Sequence, residues 1–186
     1  NMGGLAETQV VKAIEGLRSG QLDLLDTVVE GDKPINLAQI ELDNACSHII
    51  ARRQPAAGDL RLVLAVIKIA SDLERIGDEA KKIAKAARRL HSAETPFVPR
   101  VGLTQAVELA LELLRASLDA FARVNPEGIE DLRRKDAEID AGFKGVMRQL
   151  ITYMMEDPRT ISSCLEMLFI AKAIERIGDH AKNLAE

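Results

Sequence analysis

Two short strings hold the side chains of this 186-residue chain best suited to chemistry. Leu73 to Lys81 reads LERIGDEAK, and Ile174 to Lys182 reads IERIGDHAK. Each carries a Glu and an Asp four positions apart, Glu74 with Asp78 and Glu175 with Asp179. On a helix that spacing stacks the two carboxylates on one face. Upstream of each string lies another pair at the same spacing, Asp32 with Asn36 and Asp136 with Asp140. Carboxylates brought together repel, and without a counter-ion some must stay protonated. A hard divalent or trivalent cation removes that penalty, because carboxylate and amide oxygens are the ligands such ions take. The spacing therefore points to cation binding at two related places.

Turn signals place the pairs opposite one another. Asp32 and Asp78 are equally far from Pro55, and so are Asn36 and Glu74. In the second half, Asp136 and Asp179 are equidistant from the Asp157-Pro158 bond, as are Asp140 and Glu175. Both legs of a helical hairpin climb about 1.5 Å per residue, so equal distance from the turn means equal height. Each hairpin thus predicts a four-group oxygen cluster.

Plainer readings exist for the same residues. Arg75 is within reach of Asp72 or Glu79, and Asp78 of Lys81 or Lys82, as surface ion pairs worth only a few tenths of a kcal/mol. Gly77 and Gly178 sit mid-helix, where Gly costs about 1 kcal/mol relative to Ala; close helix approach or an opened backbone would explain their recurrence. His180 is expected at the surface. There is no Glu-x-x-His pattern of the di-iron proteins and no phosphate-binding Walker sequence, and no nucleophile–base pair emerges.

Positioning these groups requires helices. Apolar residues make up 47% of the chain and aromatics 3%, with no Trp, a bias toward helix and a buried core. Helical periodicity is expected over about 5–18, 22–54, 60–90, 101–124, 129–155 and 161–186, with a start or kink near Pro34 and Asp59 as an N-cap. Ser19-Gly20, Gln54 to Asp59, Asn125-Pro126-Glu127-Gly128 and Glu156 to Arg159 read as breaks or turns. No segment alternates as a strand does. The fold class is all-α: six helices in two antiparallel three-helix units, 1–91 and 101–186, joined by a linker at 92–100. The 101-residue offset also relates Leu64 to Leu165, Ile69 to Ile170 and Ala84 to Ala185, so one supersecondary unit is used twice.

A net charge of −4 without interleaved basic and aromatic residues gives no case for nucleic acid. No apolar run approaches the roughly 20 residues that span a bilayer, and Asn1 to Leu5 lacks signal-peptide character. Cys46 and Cys164 read as buried, reduced thiols of a cytosolic protein.

The segments ARRQPAAGDLRLVLAVIKIASDLERIGDEAKKIA (Ala51 to Ala84) and LITYMMEDPRTISSCLEMLFIAKAIERIGDHAKNLAE (Leu150 to Glu186) resemble the PhoU family, with MGGL and VVEGDKPIN in support. Members of that family continue beyond both ends of this stretch, so the first helix is expected to be incomplete. The resemblance implies two tandem three-helix bundles and a homodimer. It also implies a non-enzymatic cytoplasmic repressor of phosphate-starvation genes, placed peripherally at the inner membrane by contacts with the sensor histidine kinase PhoR and the transporter ATPase PstB. It implies metal binding as well, with Mg, Mn, Fe or Zn. By position, Asp136, Asp140, Glu175, Asp179 and Asn183 form the fuller site. Asp32, Asn36, Glu74 and Asp78 form a weaker one, with Asn36 in place of an acid and Lys82 where the second half has Asn183. A carboxylate-bridged metalloenzyme and a plain helical scaffold are the competing readings.

Overall fold

The computed structural model describes residues 2–93, 97–123 and 129–185, with every side chain in those ranges except that of Ile129. Seven α-helices account for nearly all of them: α1 (Met2–Ser19), α2 (Leu22–Glu30), α3 (Asp32–Arg53), α4 (Ala57–His91), α5 (Leu103–Arg123), α6 (Ile129–Glu156) and α7 (Ile161–Ala185). Among the described residues a single 3-10 turn, Pro158–Thr160, occurs and leads into α7. No strand occurs among the described residues.

The expected six helices become seven because the second one breaks at Gly31. The cause is space. A Cβ at Gly31 would lie 1.8 Å from Gln9 Nε2, so α1 crosses too close for any side chain there. Gly31 keeps one helical bond, N–H to Thr27 O at 2.9 Å. Pro34 then falls in the first turn of α3, where a missing N–H goes unnoticed. Asp59 does not cap α4; the helix begins earlier, with Ala56 at the N-cap position and no side-chain cap. The turn Asn125-Pro126-Glu127-Gly128 lies outside the described residues.

The hairpin turns use different devices. The first holds Gln54 in the left-handed region (φ 47°), with its N–H bonded to Ile50 O. The second is capped by Asp157, whose carboxylate accepts from the Arg159 N–H at 3.0 Å and from the Arg159 guanidinium.

In each repeat three segments pack around one apolar stripe: α1 and the α2–α3 pair against α4, and α5 and α6 against α7. The repeats then join along α4 and α7, the most extensive contact in the molecule. Arg89 meets Glu166, whereas Asp72 meets His180, so these two helices run antiparallel. Ile76, Ile83 and Leu90 of α4 merge with Ile170, Ile174 and Ile177 of α7 in one continuous core. Cys46 and Cys164 are buried and free.

Both hairpin turns carry exposed apolar side chains. In the 35-residue α4 the first buried side chain is Ala70. The segment of α4 before it packs on the end of α3 at the first turn. Ile49, Leu62 and Leu64 are exposed there, and Ile151, Met155, Ile161 and Leu165 are exposed around the second turn.

Candidate functional site

Packing of α3 on α4 and of α6 on α7 explains the recurring glycines. A Cβ on Gly77 would stand 2.9 Å from Ile35 Cδ1, and one on Gly178 would stand 3.0 Å from Ile139 Cδ1. Each fully buried isoleucine is a wedge seated in a notch that only glycine provides. The notch brings the two helices close and fixes their register. Because Asp32 and Asp136 precede those isoleucines by three positions, they share their helix face and are buried with them, at 4% and 8% exposure.

In the first centre Lys81 Nζ donates to Asp32 Oδ2 at 2.6 Å, and Asn36 Nδ2 donates to the same oxygen at 3.3 Å. The ammonium is held in its charged form, its pKa raised first by that hydrogen bond and then by the surrounding carboxylates. Glu74, on the same helix, has its pKa raised above the usual range. Burial is the main cause, followed by the charges of Asp78 and Asp32. Asp32, Glu74, Asp78 and Lys81 thus act on one another as a single electrostatic group. Asp78 and Asn36 are half-buried.

The second centre repeats the arrangement. Lys182 Nζ donates to Asp136 Oδ2 at 2.5 Å and lies 3.7 Å from Asp179. Asp136 Oδ1 faces the Gly178 notch. Glu175 is drawn aside to Lys172, at 2.6 Å. Asp140 and Asn183 are half-buried and make no hydrogen bond or ion pair among the described residues.

The helix pairs expected to face each other do so, but a lysine occupies the centre of each: Lys81, expected only as a surface partner of Asp78, and Lys182, for which the spacing suggested no role. Lys81 and Lys182 are related by the 101-residue offset, as Glu74 and Glu175 are. Ile35 and Ile139 share with Asp32 and Asp136 an offset of 104. Both signals were present in the repeat. Lys82, expected to add positive charge to the first centre, instead pairs with Glu79 at 2.8 Å on the side facing α7. His180 is not a surface residue. It is half-buried, with Nδ1 3.1 Å from Oδ1 of the buried Asp72.

As cation ligands these residues are suited in kind. Asp32 Oδ1, Asn36 Oδ1 and Asp136 Oδ1 are buried without a hydrogen-bond partner, and an unmatched buried oxygen is costly. Their spacing is that of the lysine-filled state. No three His, Cys, Asp or Glu side chains among the described residues stand close enough to hold one ion. A metal would enter by displacing an ammonium that is about one-quarter exposed, Lys81 at 28% or Lys182 at 25%.

Comparison with known proteins identifies the duplicated unit. The PhoU domain matches residues 1–87 and again 103–186. The chain belongs to the PhoU family. It is 46% identical to the phosphate-specific transport system accessory protein PhoU of Edwardsiella tarda, covering all of this chain and 76% of that one. Identity to the protein of the same description from Escherichia coli K12 is 44%, with the same coverage. Among solved structures, PhoU from Pseudomonas aeruginosa superposes with a TM-score of 0.93 at 41% identity, covering 99% of this chain and 88% of that one. The phosphate transport system regulatory protein PhoU from Streptococcus pneumoniae gives 0.90 at 28% identity, over 100% and 86%. In this chain each PhoU domain is a helical bundle of three packed segments built around one ERIGD string. No described helix is long and apolar enough to cross a membrane.

Proposed function

We propose that this PhoU-family chain is a cytoplasmic negative regulator of the phosphate-starvation response and of phosphate uptake. In this reading it works without catalysis, as an adaptor between the phosphate transporter's ATPase, PstB, and the sensor histidine kinase PhoR. The observation that carries the reading is the exposed apolar side chains at the turn ends of the two hairpins, the two arms of the chain. Exposed apolar side chains gathered at the ends of rigid helices are the chemistry of a protein–protein contact, and Leu62 with Leu64 on one arm and Met155 with Ile161 on the other are such side chains. Two arms give one chain two places to grip. Relatives described as accessory or regulatory proteins of a phosphate transport system support a transporter partner.

The two carboxylate–lysine centres lie deeper in the hairpins, where Asp32 meets Lys81 and Asp136 meets Lys182. In the proposal a divalent cation replaces the ammonium there. Asp32, Asn36, Glu74 and Asp78 would hold it in the first repeat, and Asp136, Asp140, Glu175, Asp179 and Asn183 in the second. The ion would supply charge neutralisation and a fixed hairpin geometry. Self-association as a homodimer belongs to the same reading.

Surface plasmon resonance with immobilised PhoR and PstB tests the arms. Leu62→Glu and Met155→Glu should each weaken at least one partner by about tenfold or more, the scale of a lost apolar anchor, while circular dichroism stays unchanged. Full binding by both variants would remove the arms as the contact.

A further inference from the structure

The join between the repeats contains a cleft of about 430 Å³ that the carboxylate centres do not use. Its walls carry five cations: Lys82, Lys85 and Arg89 from α4, and Lys172 and Arg176 from α7. Three carboxylates answer them. Lys82 and Arg176 share Glu79, at 2.8 and 3.4 Å. Arg89 grips Glu166 through two nitrogens, at 2.6 and 2.7 Å. Lys172 holds Glu175. Lys85 makes no ion pair or hydrogen bond among the described residues. Like charges held in a concave, partly apolar space focus a positive potential and raise the local concentration of anions.

Duplication does not explain this concentration of charge. At the 101-residue offset, Lys82, Lys85 and Lys172 have Asn183, Glu186 and Ser71 as counterparts. Arg176 is matched by Arg75. The basic character belongs to one side of an otherwise pseudo-symmetric join. Between the cations lie Ala86, Ala173 and the ring of Phe169, which is 60% exposed. The cleft thus offers ammonium and guanidinium donors around an apolar floor, at the size of small-molecule sites, which run from about 300 to 1,000 Å³.

We propose that this cleft binds a soluble phosphorylated compound carrying at least two negative charges, with its organic part on Phe169. Lysines suit phosphate as point charges, and Arg176, sharing its carboxylate with Lys82, has guanidinium N–H groups left to donate. A multiply charged phosphate answers the uncompensated positive charge better than a single carboxylate would. Because both walls contribute, ligand binding would tie α4 to α7, and hence one repeat to the other.

Isothermal titration of the full chain in EDTA, with ATP and with tripolyphosphate, tests the proposal. Both probes should bind. Lys85→Glu should weaken both by roughly tenfold or more, since it reverses a charge near several ligand charges. Lys68→Glu makes the same charge change on the same helix, at an exposed position outside the cleft, and should leave both within about twofold. Phe169→Ala should weaken ATP more than tripolyphosphate. Absence of binding by the parent, or equal losses in Lys85→Glu and Lys68→Glu, would overturn the assignment. So would a poly-glutamate peptide binding as tightly as ATP and competing with it, since that would make the cleft a contact for an acidic protein segment.

Discussion

Each centre turns on a residue triplet: an aspartate from one helix, a lysine from the next, and an isoleucine wedged into a glycine notch beside them. The wedge predicts a steric result. Gly77→Val should destabilise the chain by roughly 1–3 kcal/mol through overpacking against Ile35, read as a lower urea midpoint with an unchanged m-value; a more stable variant would show that the notch has room. The lysine predicts a competition. Lys182→Met leaves Asp136 buried without its ammonium, so the variant should melt at a lower temperature than the parent in EDTA and recover in MnCl2. Mn²⁺ should also bind it about tenfold tighter than the parent, and equal affinities would separate the lysine from the cation site. With Lys82 turned to Glu79, the asymmetry between the centres reduces to Asn36 in place of Asp140 and Glu175 held by Lys172. One extra carboxylate still favours the second centre. Asp179→Ala should therefore lose more Mn²⁺ affinity than Asp78→Ala, and equal losses in the same titration would contradict that order.

At the scale of elements, the hairpins decide what meets what. That α3 and α4 pair about Pro55 was readable because turn residues are distinctive; the register was not, since Asp32 meets Lys81 and Ile35 meets Gly77. The break at Gly31 was not, because it follows from the Gln9 side chain of another helix, and no local signal reports a crossing helix. Lys81 was misjudged for a similar reason: helical spacing put it within reach of Asp78, but only the packed hairpin shows that Asp32 is the nearer oxygen. His180 looked exposed from its offset to Asp179, because the antiparallel join of α4 and α7 that supplies Asp72 is a property of both repeats together. The second hairpin turn makes a prediction in pH. The Arg159 guanidinium, followed by the Arg159 N–H, holds the Asp157 carboxyl below its ordinary value. A group whose pKa is lower when folded stabilises the fold above its unfolded value and loses that contribution as pH falls through the folded one. Asp157→Ala should thus be less stable than the parent at pH 7, with the difference closing as pH falls below the ordinary carboxylate range. A difference that persists in acid would assign the cap's effect to packing.

The whole molecule is two copies of one unit joined back to back, with a shared core that makes α4 and α7 a single rigid spine. Polar contacts across that join, Asp72 with His180 and Glu79 with Arg176, fix how the copies sit. The two hairpin turns carry exposed apolar side chains, and a carboxylate–lysine centre lies deeper within each hairpin. That geometry suits a chain that holds two proteins at once and has its arms set by bound ions. The most direct measurement is capture of purified PhoR and PstB on the full chain, separately and together, with and without MnCl2, beside Glu175→Ala. The proposed adaptor role predicts that both partners are retained together, and that Glu175→Ala weakens retention in MnCl2 while leaving the two proteins alike in EDTA. Retention of neither partner under any of these conditions would contradict it.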